Sequence, residues 1–524
     1  MNFGFVIDNR KCIGCHACTV ACKSEHDVPV GVNRTWVKYI EKGEFPNTQR
    51  LFSVMRCNHC QDAPCVDICP TTALFIREDG IVDFDNRRCI GCKACIQACP
   101  YDAIYIDPQN LTAAKCNYCT HRVDLGLEPA CVNVCPTHAI ISGDLENPNS
   151  EIAQLVSREK VQVRKPEKGT YPKLFYIEGD QLSLDPSLTD KMSQYVWSQQ
   201  SSGVGHFAAQ KTEMALSPTL KQTQGSSFKR VLQQAKNTAR RVYDVPDKGI
   251  LWGWEVSAYI LTKAIATGLF LVFFCLHLAR PLPFKIHLFT GFTALLFLGL
   301  TTILLVLDLD QPKRFFYVLL RPHWKSWLVR GAYILVGYTV LLVLWLSAHY
   351  FEFPRFVLGL SWICCVFAVL TAIYTAFLFA QSKGRDFWQS PLLPLHMLCH
   401  ALLTGIAFPL IASVFWSDLT PFVSLLSLTL KYGIVLHLFL LGTELLTTHS
   451  TKDAQKTVKI ITQGRFKTLF WGGVVLLGNI LPLVLLLFGP AIPLMGAVSS
   501  VFVFLGLWFS IQIWVIAPQL IPLS

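Results

Sequence analysis

"CIGCHACTVACK", residues 12–23, sets four cysteines at spacings of three, three and four, and "CIGCKACIQACP", residues 89–100, nearly repeats it. Two further quartets complete a set: Cys57, Cys60, Cys65, Cys69-Pro70 and Cys116, Cys119, Cys131, Cys135-Pro136. Disulfides need an oxidising compartment and do not explain three cysteines within seven residues. Zinc knuckles use paired C-x2-C units rather than a triple run. A redox C-x-x-C has no reason to recur in this way. The first and third quartets instead match the C-x2-C-x2-C-x3-C run that wraps one iron–sulfur cubane with three thiolates and sends the fourth to a neighbouring cluster. Four quartets therefore predict four 4Fe–4S clusters. Lys23 stands where the other three quartets carry proline, which loosens a turn and removes no ligand.

Composition separates the sequence into two halves. Of its 20 cysteines, sixteen precede residue 136, whereas Cys275, Cys364, Cys365 and Cys399 lie in apolar runs, where a thiol is a small buried hydrophobe. The formal charge is +11, and its basic residues gather beside apolar segments, the pattern of a membrane surface rather than of nucleic acid. "MNFGFVIDNRKC" has neither an apolar signal core nor a twin arginine, so no cleavable export signal is expected.

Around the quartets, "ALFIREDGIVDF" and "AIYIDPQ" alternate apolar and polar residues about turn signals and predict short hairpins. Residues 1–180 thus read as an α+β, double ferredoxin-like iron–sulfur domain. Residues 181–249 read as a linker, Ser- and Gln-rich at first and then basic. Its last part, "FKRVLQQAKNTARRVYDVPDK", has helical character and would lie on lipid headgroups.

Residues 250–524 read as an all-α bundle of eight transmembrane helices. Apolar stretches recur near 254–279, 284–307, 328–350, 354–381, 391–416, 419–446, 466–489 and 493–518, each long enough to cross about 30 Å of hydrocarbon. An even count returns the C-terminus to the linker side. Loops on that side carry Lys313, Arg314, Arg321, Lys325, Lys452 and Lys459, against Arg280, Lys285 and Arg355 opposite. The positive-inside rule then puts the cluster domain on the cytoplasmic face of the inner membrane, with the periplasmic face as the alternative.

Ionisable groups are costly inside a membrane and mark function by default. Glu255, Tyr259 and Lys263 form one stripe of span one, Asp308 and Asp310 end span two, His396 and His400 lie in span five, and His437 and Glu444 in span six. Nearly all sit in the half nearest the linker. Glu255, Tyr259, Lys263, Asp308, His396, His400, His437 and Glu444 are therefore the candidates for binding a quinone headgroup and moving its protons. Plain alternatives stand beside this one. Lys263 can be a structural ion-pair partner, Glu255 and Glu444 boundary charges, and the histidines core hydrogen-bonders. A b-type haem between His400 and His437 is the less favoured alternative.

The quartets over residues 1 to about 180 resemble the four-cluster electron-transfer subunit of the molybdopterin oxidoreductase family, which includes polysulfide, tetrathionate and dimethyl sulfoxide reductases. "WGWEVSAYILTKAIATG", 252–268, and "LDLDQPKRFFYVLLRPHWKSWLVRGAY", 307–333, resemble the NrfD-like, quinone-reactive anchor of the same complexes, here fused to it. The resemblance implies four ligand sets: Cys12, Cys15, Cys18 with Cys135; Cys22 with Cys116, Cys119, Cys131; Cys57, Cys60, Cys65 with Cys99; and Cys69 with Cys89, Cys92, Cys95. It also implies an anchor without haem, a quinone site near the clusters, and a separate catalytic subunit holding a molybdenum or tungsten pterin. The expected role is to pass electrons between the quinone pool and that partner, in sulfur-compound respiration or oxidation. A subunit of a cytochrome-linked, proton-translocating complex is the alternative.

Overall fold

The structure, a computed structural model, describes residues 1–44, 46–191, 239–245, 248–449, 451–490 and 492–524. Most of the expected linker, including Lys229, Arg230 and Lys236, lies outside the described residues.

In the first half, every quartet hangs on a short helix: Ala17–Glu25, Pro64–Asp67, Ala94–Ala98 or Ala130–Asn133. The repeated motif becomes a repeated backbone. Gly14 and Gly91 both have φ 71°, and His16 and Lys93, just before their helices, both have φ 60°. This left-handed turn curls the loop so that successive sulfurs face one point. It costs a side-chain-bearing residue on the order of 1 kcal/mol. Glycine is needed at 91 for a second reason, since a Cβ there would stand 2.6 Å from the Cβ of Asp310 in the membrane half.

The expected hairpins form, Leu74–Ile76 with Val82–Phe84 and Ile104–Asp107 with Thr112–Lys115. Strand Phe3–Asp8 is central to a sheet, flanked by the antiparallel Ile140–Asp144 and the parallel Leu174–Ile177. A longer hairpin, Thr35–Glu44 with Asn47–Arg56, gains Arg240–Tyr243 on its open edge and, beyond that, Asp190–Lys191. Here the described end of the basic segment, residues 239–245, departs from the reading as a headgroup-bound helix; residues 228–238 lie outside the described residues. Its described part is a strand, and Arg241 is fully buried, bonded to Asp244 at 3.0 Å and to the carbonyl of Ser524 at 3.0 Å. A buried guanidinium needs fixed acceptors, and the C-terminus supplies one.

Eight helices follow that are long and apolar enough to cross a membrane: Trp254–Ala279, Phe284–Leu307, Trp327–Tyr350, Phe356–Gln381, Leu393–Ala412, Ser417–Leu446, Leu469–Phe488 and Pro493–Leu520. Span one is the most enclosed, packed against spans two, four, five and eight. Lipid solvates leucine as well as protein does, so close approach of backbones must supply the cohesion. Gly268 and Gly405 provide it where spans one and five cross: a Cβ on Gly268 would fall on the backbone carbonyl of Ala401, and one on Gly405 would fall on the backbone of Gly268. Gly478 and Gly506 do the same for spans seven and eight. Outward faces are apolar, for example Phe292, Leu296, Trp362 and Phe439, as lipid contact requires.

Candidate functional site

The quartet cysteines lie close to one another, and each has neighbours from the ligand set that the resemblance implies. Cys12 lies within electrostatic reach of Cys15 and Cys135, and Cys18 of Cys12. Cys116 and Cys119 each neighbour Cys22 and Cys131. Cys65 neighbours Cys57, Cys60 and Cys99, while Cys95 neighbours Cys69, Cys89 and Cys92. Three links connect the groups, Cys18 to Cys131, Cys116 to Cys57, and Cys95 to Cys65. These links join each set to the next, as a serial order requires.

Their surroundings fit thiolate-bound clusters. Arg56 is wholly buried, its Nη1 is 3.1 Å from the Cys131 sulfur, and its Nε and Nη2 have no hydrogen-bond partner. A buried cation without a carboxylate needs anionic neighbours, and a thiolate quartet is the available one. Backbone N–H groups of Gly91 and Ala113 point at the Cys89 sulfur, both at 3.4 Å, and that of Ala139 at Cys135 at 3.2 Å. His26 Nε2 lies 3.1 Å from the Cys119 sulfur. Burial, reinforced by the charges of Arg34 and His121, lowers the His26 pKa to about 4, so its ring is neutral at pH 7.

The end group, Cys69 with Cys89, Cys92 and Cys95, rests on the membrane half. Lys93 bonds the carbonyl of Asp308 at 3.0 Å and the carboxylate of Asp310 at 3.1 Å. Arg314 reaches the carbonyl of Cys89 at 3.0 Å, and Ser326 that of Ile68 at 2.7 Å. Arg385, buried, holds Gln97 Oε1 at 2.9 Å and the carbonyls of Pro518 and Ile521. Trp252, just before span one, donates its indole N–H to the carbonyl of Cys92 at 3.2 Å.

Beneath this contact opens a cavity of about 330 Å³, within the range of small-molecule sites. Cys92, Trp252, Tyr259, Asp308 and Tyr374 line it, together with apolar residues that include Leu335, Val336 and Val340. Val336 and Val340 are also exposed on the outer face of span three, so the cavity opens towards lipid.

Of the residues singled out in the sequence, Tyr259 and Asp308 line this cavity. Glu255 stands one turn before Tyr259, close enough for its charge to act on Asp308. Lys263 is a layer behind, bonded to Thr375 at 2.5 Å and lying 4.4 Å from the ring centre of Tyr374. The histidines are not among the lining residues. His400 and His437 meet each other with their Nε2 atoms 3.3 Å apart, His396 adjoins His400, and Glu444 bonds Ser390 at 2.7 Å. The candidates therefore divide into a cavity group and a histidine group. Sequence reading missed Trp252, Tyr374 and Asn479. Trp252 and Asn479 are not ionisable and Tyr374 lies outside the charged stripes, although a lone asparagine inside an apolar span carries a comparable polar signal.

The model of the family described as Polysulphide reductase, NrfD matches residues 245–522, and the protein belongs to that family. Models of 4Fe–4S dicluster domains match residues 11–74 and 48–145. A tetrathionate reductase subunit from Salmonella typhimurium is 45% identical over 189 residues, covering 35% of this chain and 75% of its own length. Protein NrfC of Escherichia coli K12 is 44% identical over 180 residues, covering 34% and 81%. The iron–sulfur subunit ArrB of the arsenate respiratory reductase from Shewanella sp. strain ANA-3 is 36% identical over 227 residues, covering 34% and 96%. One polypeptide thus joins an iron–sulfur part similar to subunits of reductase complexes and an NrfD membrane part.

Proposed function

We propose that this chain is the electron-transfer and membrane-anchor subunit of an oxidoreductase complex, exchanging electrons between membrane quinone and a separate molybdopterin catalytic subunit. The observation that carries the reading is the position of Cys92, at once a wall of the cavity and a member of the end quartet. When bound, four 4Fe–4S clusters supply one-electron carriers along the line of quartets.

The residues divide the remaining work. The apolar wall and the gap at Val336 and Val340 admit an isoprenoid tail, and the headgroup reaches Tyr259 and Asp308. Oxidation of a quinol releases two protons with its two electrons, and the Tyr259 hydroxyl and Asp308 carboxylate are placed to accept or pass them. Glu255 extends this polar edge towards the surface, and Lys263 fixes Thr375 and Tyr374 from behind. Trp252 and Lys93 hold the Cys92 loop at a fixed separation from the cavity.

The cluster domain lies on the cytoplasmic face in this reading. Arg314 and Arg385 are engaged in docking that domain, yet Lys313, Arg321, Lys452 and Lys459 still outweigh the few cations opposite. The test is anaerobic reduction of the purified full-length protein by a menaquinol or ubiquinol analogue, followed by EPR of its iron–sulfur signals. Reduction that disappears in Asp308→Asn supports the reading; signals indifferent to both quinols oppose it.

A further inference from the structure

Deep in the bundle, away from the cavity, spans five, six and seven bring together His396, His400, His437 and Asn479, all buried. His396 and His400 are four residues apart and share one face of span five. One ligand atom from each of the three histidines lies within 4.8 Å of those of the other two.

Three details bear on what this cluster is for. The His400 and His437 Nε2 atoms are 3.3 Å apart. Two nitrogens bound to one tetrahedral ion at about 2.0–2.1 Å are separated by the tetrahedral edge, about 3.3 Å. Next, the amide N–H of Asn479 donates to the carbonyl of Val474 at 2.7 Å, which aims its Oδ1 at His437 Nδ1, 2.9 Å away. The proton of His437 therefore sits on Nδ1 and its Nε2 carries the lone pair. A hydrogen-bonded far nitrogen is the arrangement that orients metal-bound histidines. Finally, His396 Nε2 is buried with no hydrogen-bond partner. A simple His400–His437 hydrogen bond would leave it unsatisfied, and a shared ion would not.

We propose that His396, His400 and His437 bind one first-row transition-metal ion through nitrogen, with Asn479 as the residue positioning His437. Imidazole donors suit zinc, copper, iron and nickel, and three protein ligands leave a further coordination position for a small ligand. A haem does not fit between His400 and His437, because rings in direct contact leave no space for a macrocycle. Glu444 lies two turns along span six on the same face as His437 and is the carboxylate that can offset the buried charge.

The test uses full-length protein in detergent, purified anaerobically, treated with a mild chelator and titrated with Zn2+. Bound zinc and iron are counted by plasma mass spectrometry, and the zinc shell is read by X-ray absorption. The expected result is about one zinc per chain with nitrogen ligands near 2.0 Å rather than sulfur near 2.3 Å. Zinc uptake is lost in His400→Ala and His437→Ala, is weakened at least tenfold in Asn479→Ala, and is retained in His277→Ala at the other end of the bundle. Iron content reports whether each variant has folded. Should the histidine variants lose their iron, the Asn479→Ala titration and the wild-type shell decide. A wild type with full iron and no zinc, a sulfur-only shell, or uptake unchanged in the variants overturns the proposal.

Discussion

The indole N–H of Trp252 donates to the carbonyl of Cys92 across 3.2 Å, so the residue that leads into span one grips the loop nearest the membrane cavity. The same loop is held from below by Lys93 on the Asp308 carbonyl and the Asp310 carboxylate. Electron transfer depends steeply on separation, and these contacts fix it. Replacing Trp252 by Phe removes a hydrogen bond worth about 1 kcal/mol and keeps the ring. Iron content should be unchanged while stopped-flow reduction by a quinol analogue slows severalfold.

Electron transfer through the quartets in series predicts that two cysteine variants behave differently. Cys92→Ala should lower iron content and abolish quinol-driven reduction of every remaining cluster, because the end group is the one beside the cavity. Cys12→Ala should lower iron by a similar amount yet leave quinol-driven reduction of the other three clusters intact. EPR after quinol addition separates the two. Equal loss in both would mean that the groups do not act in series.

Asp308 and Tyr259 are expected to act on protons rather than on folding. Asp308→Asn should reduce the quinol oxidation rate by about a hundredfold, the lower end for loss of a positioned acid or base. Tyr259→Phe should cost less, since water can stand in for one hydroxyl. Unchanged iron content and an unchanged melting profile would place the loss in the chemical step.

Arg385 is the hub between the cluster domain and the C-terminal turn, bonded to Gln97, Pro518 and Ile521. Truncation to alanine leaves those buried acceptors without a partner, each costing about 1–3 kcal/mol. Arg385→Ala should therefore lower the thermal transition of the detergent-solubilised protein by several degrees. Lys313→Ala on the exposed loop should not.

The cysteine quartets and the eight spans were legible because both are local patterns: ligand spacing in one case, length of apolar run in the other. The hairpins at 74–84 and 104–115 followed from alternation about turn residues. Depth along a helix could also be read, which is why nearly all the candidates fall in the half nearest the linker. The direction in which each points around its helix depends on neighbours far away in sequence, so the histidines could not be told apart from Tyr259 and Asp308, which line the cavity. Charge was the least informative signal. Arg241, within the segment read as a headgroup contact, is buried in a strand, and Arg314, read as a loop charge, docks the cluster domain, as does Arg385. A cation that meets lipid phosphate and one that meets a backbone carbonyl look the same in one dimension.

The most direct test of the central claim is to find where quinone sits. A photoreactive quinone analogue, irradiated in the full-length protein and mapped by peptide mass spectrometry, should label residues within 252–259, 302–319 and 328–340, and Asp308→Asn should diminish the labelling. Adducts confined to spans five and six around His400 and His437, with none near Cys92, would contradict it.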